Sequence, residues 1–205
     1  MGQEISISNI SKISGLTAEE ILDKMVEKKI GIAGSGTSTT PGSFGSGTIS
    51  GRLISGETVE FDGMYWIVAH TDYVNRVAYL ASTVIVTNTV FGSNDKYKGS
   101  TLATVAANFE KNMSEAALAV MKSITQDGVT AKIFPPTYSQ VNSGWSYFSV
   151  QDNRICKLNG VIAQYWTSTV GTSGYVWLVN TSGTFSSYGG PNTTNGFRPC
   201  LALAL

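Results

Sequence analysis

Few side chains in this sequence are able to do covalent or metal chemistry. There is one histidine, His70, and there are two cysteines, Cys156 and Cys200, 44 positions apart. A histidine-based triad could use only His70, which sits at the end of a strand-like run and reads as an ordinary strand residue. Clusters of His and Cys of the kind that hold zinc are nearly excluded by the count, so no metal and no cofactor are expected. Two cysteines make no disulfide framework, and both read as reduced structural thiols. Recognition is the chemistry the sequence favours. Trp145, Tyr147, Tyr175 and Tyr188 lie in or beside Gly-, Ser- and Asn-rich segments, which is the composition of a binding surface, the alternative being packing of long loops. Trp66, Trp166 and Trp177 lie in strand-like runs and are predicted to be core. Arg198, the single charge after Lys157, is predicted to be structural, buried against carbonyls or a carboxylate, the alternative being contact with a ligand anion.

Composition limits the class. The 205 residues carry 14 Lys plus Arg and 14 Asp plus Glu, a formal net charge of zero, with charged residues at 14%. A general nucleic-acid binder should be basic, so none is expected as a partner. At 42% hydrophobic the chain is not of disordered composition. No apolar run is long enough to span a bilayer, so no membrane insertion is expected. No secretory signal is read at Met1–Ser6, although Gly2 and Ser6 match the short myristoylation pattern.

Three segments must position these residues. In residues 1–30, Thr17-Ala18-Glu19-Glu20 is a capping box that starts a helix running to about Lys29. Ile21, Leu22, Met25 and Val26 form its apolar stripe, and a helix this short must dock to persist. Before it, the alternating isoleucines of Ile5–Ile13 predict a strand. The segment is expected to be an anchoring or oligomerisation arm. Residues 31–51, where 16 of 21 positions are Gly, Ser or Thr, are expected to be a flexible tether or an arm that orders only against a partner. Residues 52–205 are expected to form one domain. In it, Asp62-Gly63 joins Glu57–Phe61 and Met64–Ala69 as a hairpin. Val77–Ser82 forms the next strand. Helices are predicted over about Thr101–Asn112 and Ser114–Ile124, with Ser114 as the N-cap of the second. Strands follow at Tyr165–Thr169, Tyr175–Asn180 and Thr184–Tyr188, with a turn at Thr181-Ser182-Gly183. The terminal Phe197–Leu205 run, where Leu alternates with small residues, suits a strand buried on both faces. Asn-x-Ser/Thr at Asn112, Asn180 and Asn192 is what chance gives in so polar a chain.

Four pieces occur in order: Gly56–Val68, Tyr165-Trp166-Thr167-Ser168, Val176–Gly183 and Asn195–Leu201, with the two helices after the first. Together they resemble a domain of unknown function found in bacterial surface proteins and in phages of gut bacteria. That domain is similar to the formylglycine-generating-enzyme branch of C-type-lectin-like folds. The resemblance covers about residues 52–205. It implies an α+β fold, a twisted antiparallel sheet with two helices and long loops on one side. It also implies that the loop-rich half before the Gly-Phe-Arg segment presents the binding surface. Gly171–Tyr175 and Ser186–Asn195 match that half by position, which adds Thr172, Ser173, Asn192 and Asn195 to the candidate ligand contacts. The enzyme's copper-binding cysteines are closely spaced, unlike Cys156 and Cys200, so no catalysis is expected. The calcium-binding signatures of lectins are absent, and Gly190-Pro191-Asn192 lacks the carboxylate that a hard cation wants.

The expectation that follows is a phage virion component, a head-fibre, decoration or tail-tip protein assembled in the host cytoplasm. Its arm would hold it, as a dimer or trimer, to other virion proteins of capsid or tail. Its lectin-like domain would meet a glycan or protein of the host surface. The alternatives are a bacterial surface carbohydrate-binding module and an enzyme of the formylglycine-generating type.

Overall fold

A hairpin turn fixes the first sheet. Asp62 and Gly63 both take positive φ, 52° and 73°, the geometry of a type I′ turn, and join β3 (Thr58–Phe61) to β4 (Met64–Asp72). The computed structural model describes residues 42–44, 47–50, 53–92, 96–171 and 174–205. The expected N-terminal strand and the helix carrying Ile21, Leu22, Met25 and Val26 lie outside the described residues. Ser43–Leu205 form one compact unit.

The expected tether ends earlier than residue 51. Gly42–Phe44 (β1) and Gly47–Ser50 (β2) are strands, and β2 pairs with β3 through Ile49↔Phe61 and Ser50↔Glu60. The open edge of β3 supplies backbone partners that a Gly/Ser-rich segment lacks on its own, and these offset its chain entropy. β5 (Val77–Ser82) pairs antiparallel with β4, which carries a bulge between Val68 and His70. The last strand, β16 (Cys200–Ala204), inserts between β5 and β9 (Ile133–Phe134), both antiparallel. The first sheet thus runs β1-β2-β3-β4-β5-β16-β9. Cys200 through Leu203 are buried, as expected of a strand covered on both faces.

The second sheet contains β6 (Thr87–Val90), β12 (Tyr165–Val170), β13 (Val176–Val179), β14 (Phe185–Gly189) and β15 (Thr194–Phe197), in the order β14-β13-β12-β15-β6. Only β12 and β15 run parallel. Three small pieces remain: the hairpin β7–β8 (Ile124–Gln126, Val129–Ala131), the hairpin β10–β11 (Cys156–Leu158, Val161–Ala163), and a run of single helical turns over Gln140–Gly144, Ser146–Ser149 and Gln151–Arg154. The fold is mixed α/β with mostly antiparallel sheets and two α-helices among the described residues.

Helix α1 (Thr101–Lys111) starts where Ser100 Oγ accepts from the Ala103 amide at 3.0 Å. Leu102 and Ala106 form its buried face. Helix α2 (Glu115–Val120) starts at Ser114, as predicted, and ends four residues sooner than expected. Met121 turns extended and bridges Leu203, and the Lys122 amide donates to Ala202 O at 2.8 Å. The partner offered by β16 outcompetes another helical turn. Asp62 then joins turn to helix: its carboxylate accepts from Ser114 N at 3.0 Å and Ser114 Oγ at 2.6 Å.

Trp66 and Trp166 are fully buried in the main core with Phe91, Leu102 and Phe197. Each indole N–H finds a carbonyl, Phe61 O for Trp66 and Thr89 O for Trp166, both at 3.0 Å. β15 passes close beneath Ile85. A Cβ on Gly196 would stand 2.6 Å from Ile85 Cγ2 and 2.8 Å from Gln164 O. We predict that Gly196→Ala lowers stability by about 1–3 kcal/mol through overpacking. Urea unfolding should show a lower midpoint at unchanged slope; an unchanged midpoint would mean that β15 shifts freely.

Candidate functional site

Strand alternation exposes the candidate surface. Along β13, Val176 and Leu178 enter the main core, while Trp177 faces the other way and is half-buried. Its ring stacks on Tyr138 with centroids 4.3 Å apart, and Tyr138 meets Phe185 edge-on at 4.9 Å. Tyr175, just before β13, is 45% exposed. The Gly171 amide donates to Tyr175 O at 2.8 Å and closes the β12–β13 turn. A Cβ on Gly171 would stand 3.4 Å from the Trp177 indole nitrogen, so glycine leaves that edge of the ring uncrowded. The result is a partly solvated aromatic strip of Tyr138, Trp177 and Phe185 with Tyr175 at the adjoining turn. Rings of this kind present broad contact area at small entropic cost.

The strip rests on loops, and two arginines hold them. Arg154 stacks over Phe185 at 4.7 Å. Its guanidinium donates to Phe148 O at 2.7 Å, Asn142 O at 3.2 Å and Gly183 O at 3.4 Å. Those acceptors belong to three separate turns. Arg198 is buried, as predicted. It donates from Nε to Ser82 O at 3.0 Å and from Nη1 to Tyr165 Oη at 3.2 Å and Arg154 O at 3.4 Å. Phe148 and Tyr165 present ring faces to it at 5.0 and 5.3 Å. Of the expected alternatives, carbonyls and a phenol hold it rather than a carboxylate.

The candidate contacts separate. Tyr175 is exposed, in the turn two residues before Trp177. Trp145 is not: it is buried, stacked between Tyr79 at 5.3 Å and Phe148 at 6.1 Å. Its polar neighbours in sequence belong to short turns that fold the indole inward onto the sheet. Tyr147 is half-buried and packs edge-on against Phe148 at 5.3 Å. Asn192 is exposed in the turn after β14, and Asn195 is half-buried in β15 with its amide on Thr193 Oγ1 at 3.3 Å. Thr172 and Ser173 lie outside the described residues, as does the Tyr188 side chain. Trp177 moves in the opposite sense to Trp145, from predicted core to the strip. The sequence pattern does not single out Tyr138, Phe185 or Arg154 as surface contacts. Phe185 carried a signal, since it alternates with Thr184 and Ser186 in a predicted strand; Tyr138 carried none.

His70 lies inside β4 beside the bulge, its ring 6.3 Å from that of Tyr79, and its buried Nδ1 has no partner among the described residues. Cys156 and Cys200 are free and buried, and Cys156 Sγ donates to Thr83 O at 3.6 Å. Burial pushes the Cys200 thiol well above its ordinary range. Among the described residues no group of three His, Cys, Asp or Glu is placed to hold a metal.

A family model, Domain of unknown function (DUF6273), matches residues 94–205, and the chain belongs to that family. No curated protein and no solved structure matches. The matched part holds α1, α2, the strip and Arg198. Its last strand, β16, pairs along five residues with β5, which precedes the match.

Burial pushes the Tyr165 phenol up from 10.0 to about 12, with Arg198 opposing part of that rise. A raised folded value means stability that is complete below the unfolded value and lost as pH rises through the folded one. We predict a loss of about 2–3 kcal/mol from Tyr165 between pH 10 and pH 12. Tyr97 and Cys200, both raised by burial, add to the alkaline loss. Urea unfolding across this range should therefore fall less steeply in Tyr165→Phe than in the parent. Parallel slopes would show that Tyr165 ionises freely in the folded chain.

Proposed function

We propose that this member of the DUF6273 family is a recognition protein of a phage virion, a head-fibre, decoration or tail-tip component. Residues 43–205 serve as a C-type-lectin-like module that binds a host-surface glycan without catalysis. The observation that carries this reading is the aromatic strip of Tyr138, Trp177 and Phe185 beside the exposed Tyr175. Aromatic rings left partly solvated on a turn-built face, and braced from behind by an arginine, suit stacking against the apolar face of a sugar.

Other features agree with it. The sheet with two helices and a loop-rich second half has the elements that the resemblance to lectin-like folds implies. The sequence order of the four motif pieces, shared with a domain of phages of gut bacteria, supports the virion setting. Residues 1–30, with the apolar stripe Ile21, Leu22, Met25 and Val26, are the proposed attachment to capsid or tail proteins and to one or two further copies. Several copies on one particle would raise avidity without tight single sites.

The test is a glycan array of bacterial surface polysaccharides, read with the full chain and with the double variant Tyr175→Ala/Trp177→Ala. Both positions are partly solvated, so the variant should keep the parent's circular dichroism spectrum. The chain should bind at least one glycan, and the variant should lose that binding by about tenfold or more, as for central aromatic contacts. Absence of any glycan binding, or binding that the variant retains in full, contradicts the proposal.

A further inference from the structure

Thr169 links the segment that carries Tyr138 to a second feature. Thr169 Oγ1 accepts from the Tyr138 amide at 3.0 Å, and Thr169 also lines an open cleft of about 440 Å³. That volume is in the range of small-ligand sites, roughly 300–1,000 Å³. The cleft lies between Lys96–Lys98, the Asp127-Gly128 turn and Ser168–Val170.

Its polar wall is prearranged. Asp127 and Gly128 take positive φ, 48° and 78°, and turn β7 back into β8. Ser168 Oγ donates to Asp127 Oδ2 at 2.5 Å and accepts from Gln126 Nε2 at 2.9 Å. Gln126 is itself buried, bonded to Pro135 O and to the Gln140 amide. One Asp127 oxygen is thereby engaged within the protein. Lys96 and Lys98 are exposed and line the same cleft. A Cβ on Gly128 would stand 3.5 Å from Lys98 Cδ, so the stem of Lys98 lies along the turn that walls the cleft. Two ammonium groups against one engaged carboxylate leave the lining cationic.

We infer that the cleft binds the carboxylate of an acidic sugar residue whose chain continues over the aromatic strip. The carboxylate pairs with Lys96 and Lys98, the Thr169 segment lies between the two contacts, and the next sugar stacks on the Tyr138–Trp177 pair. A cleft with two lysines in its lining, joined through Thr169 to the segment that carries Tyr138, favours a uronic- or sialic-type polymer over a neutral glycan. This inference rests on the glycan-binding reading and adds the charge of the ligand to it.

The test uses the full chain in affinity electrophoresis against polygalacturonate, hyaluronate and polysialic acid, with dextran and galactan as neutral controls. Lys96→Gln/Lys98→Gln changes two exposed side chains, so the fold should persist. The expected result is binding to at least one acidic polymer and a loss of about tenfold or more in the lysine variant. Binding by the parent should weaken as salt rises toward 0.15 M, where screening acts within about 8 Å, and that of the variant should respond less. Dextran or galactan bound as well as the acidic polymers, with Tyr175→Ala/Trp177→Ala abolishing binding and the lysine variant keeping it, overturns the acidic-sugar assignment while leaving glycan recognition standing. Binding to none of the five polymers overturns the assignment, and glycan recognition falls with it if the array is also blank.

Discussion

The guanidinium of Arg198 is the constraint on which the loop-built half of this molecule depends. Arginine cannot shed its charge, so burying it is tolerable only if its N–H groups meet acceptors and its faces meet polarisable surface. Here the acceptors come from places remote in sequence: Ser82 at the end of β5, Arg154 in the turns before β10, and Tyr165 at the start of β12. Phe148 and Tyr165 cover its faces. Both sheets and the run of short turns must be in place together for that charge to be buried. Arg154 extends the arrangement outward, from the carbonyl that Arg198 holds to the ring of Phe185 under the strip.

That arrangement bears on the proposed recognition. A binding face made of turns loses affinity if it must be ordered on contact. Carbonyl-bound arginines provide the order here with almost no carboxylates, in keeping with a second half that has six charged residues after Ile124. Local pairs reinforce it. Gln151 Nε2 reaches Ser182 O at 2.9 Å, and the Asn180 carboxamide accepts from the Ser182 and Thr184 amides. The strip is then a fixed feature of the surface rather than one that forms around a ligand.

Elements set by short-range chemistry were legible in the sequence. Asp62-Gly63 needs only two residues willing to take positive φ, and Ser114 needs only a hydroxyl before a helix. The terminal strand announced itself by a lack of polar positions, and Arg198 by being the single charge among them. What depends on long-range competition was not legible. The end of α2 is set by Leu203 and Ala202, more than 80 positions away. Gly47–Ser50 has strand character only because β3 offers an edge. Trp145 and Trp177 exchanged roles for a related reason. A polar neighbourhood exposed neither residue: turns fold Trp145 inward, while the pleat of β13 turns Trp177 away from the main core. The meeting of Tyr138 with Trp177, and of Lys98 with Gly128, joins segments that carry no mark of each other.

The four tryptophans allow the central claim to be tested directly. Trp66, Trp145 and Trp166 are buried, so Trp177 is the one with solvent access. Acrylamide quenching of the full chain should therefore report mainly on Trp177. Titration with surface polysaccharides of gut bacteria is the measurement to make. The account predicts that a bound polysaccharide shields the quenchable tryptophan, and that Trp177→Phe abolishes the shielding signal. A polysaccharide that binds while acrylamide access stays unchanged, or a series in which none binds, would contradict recognition through the strip.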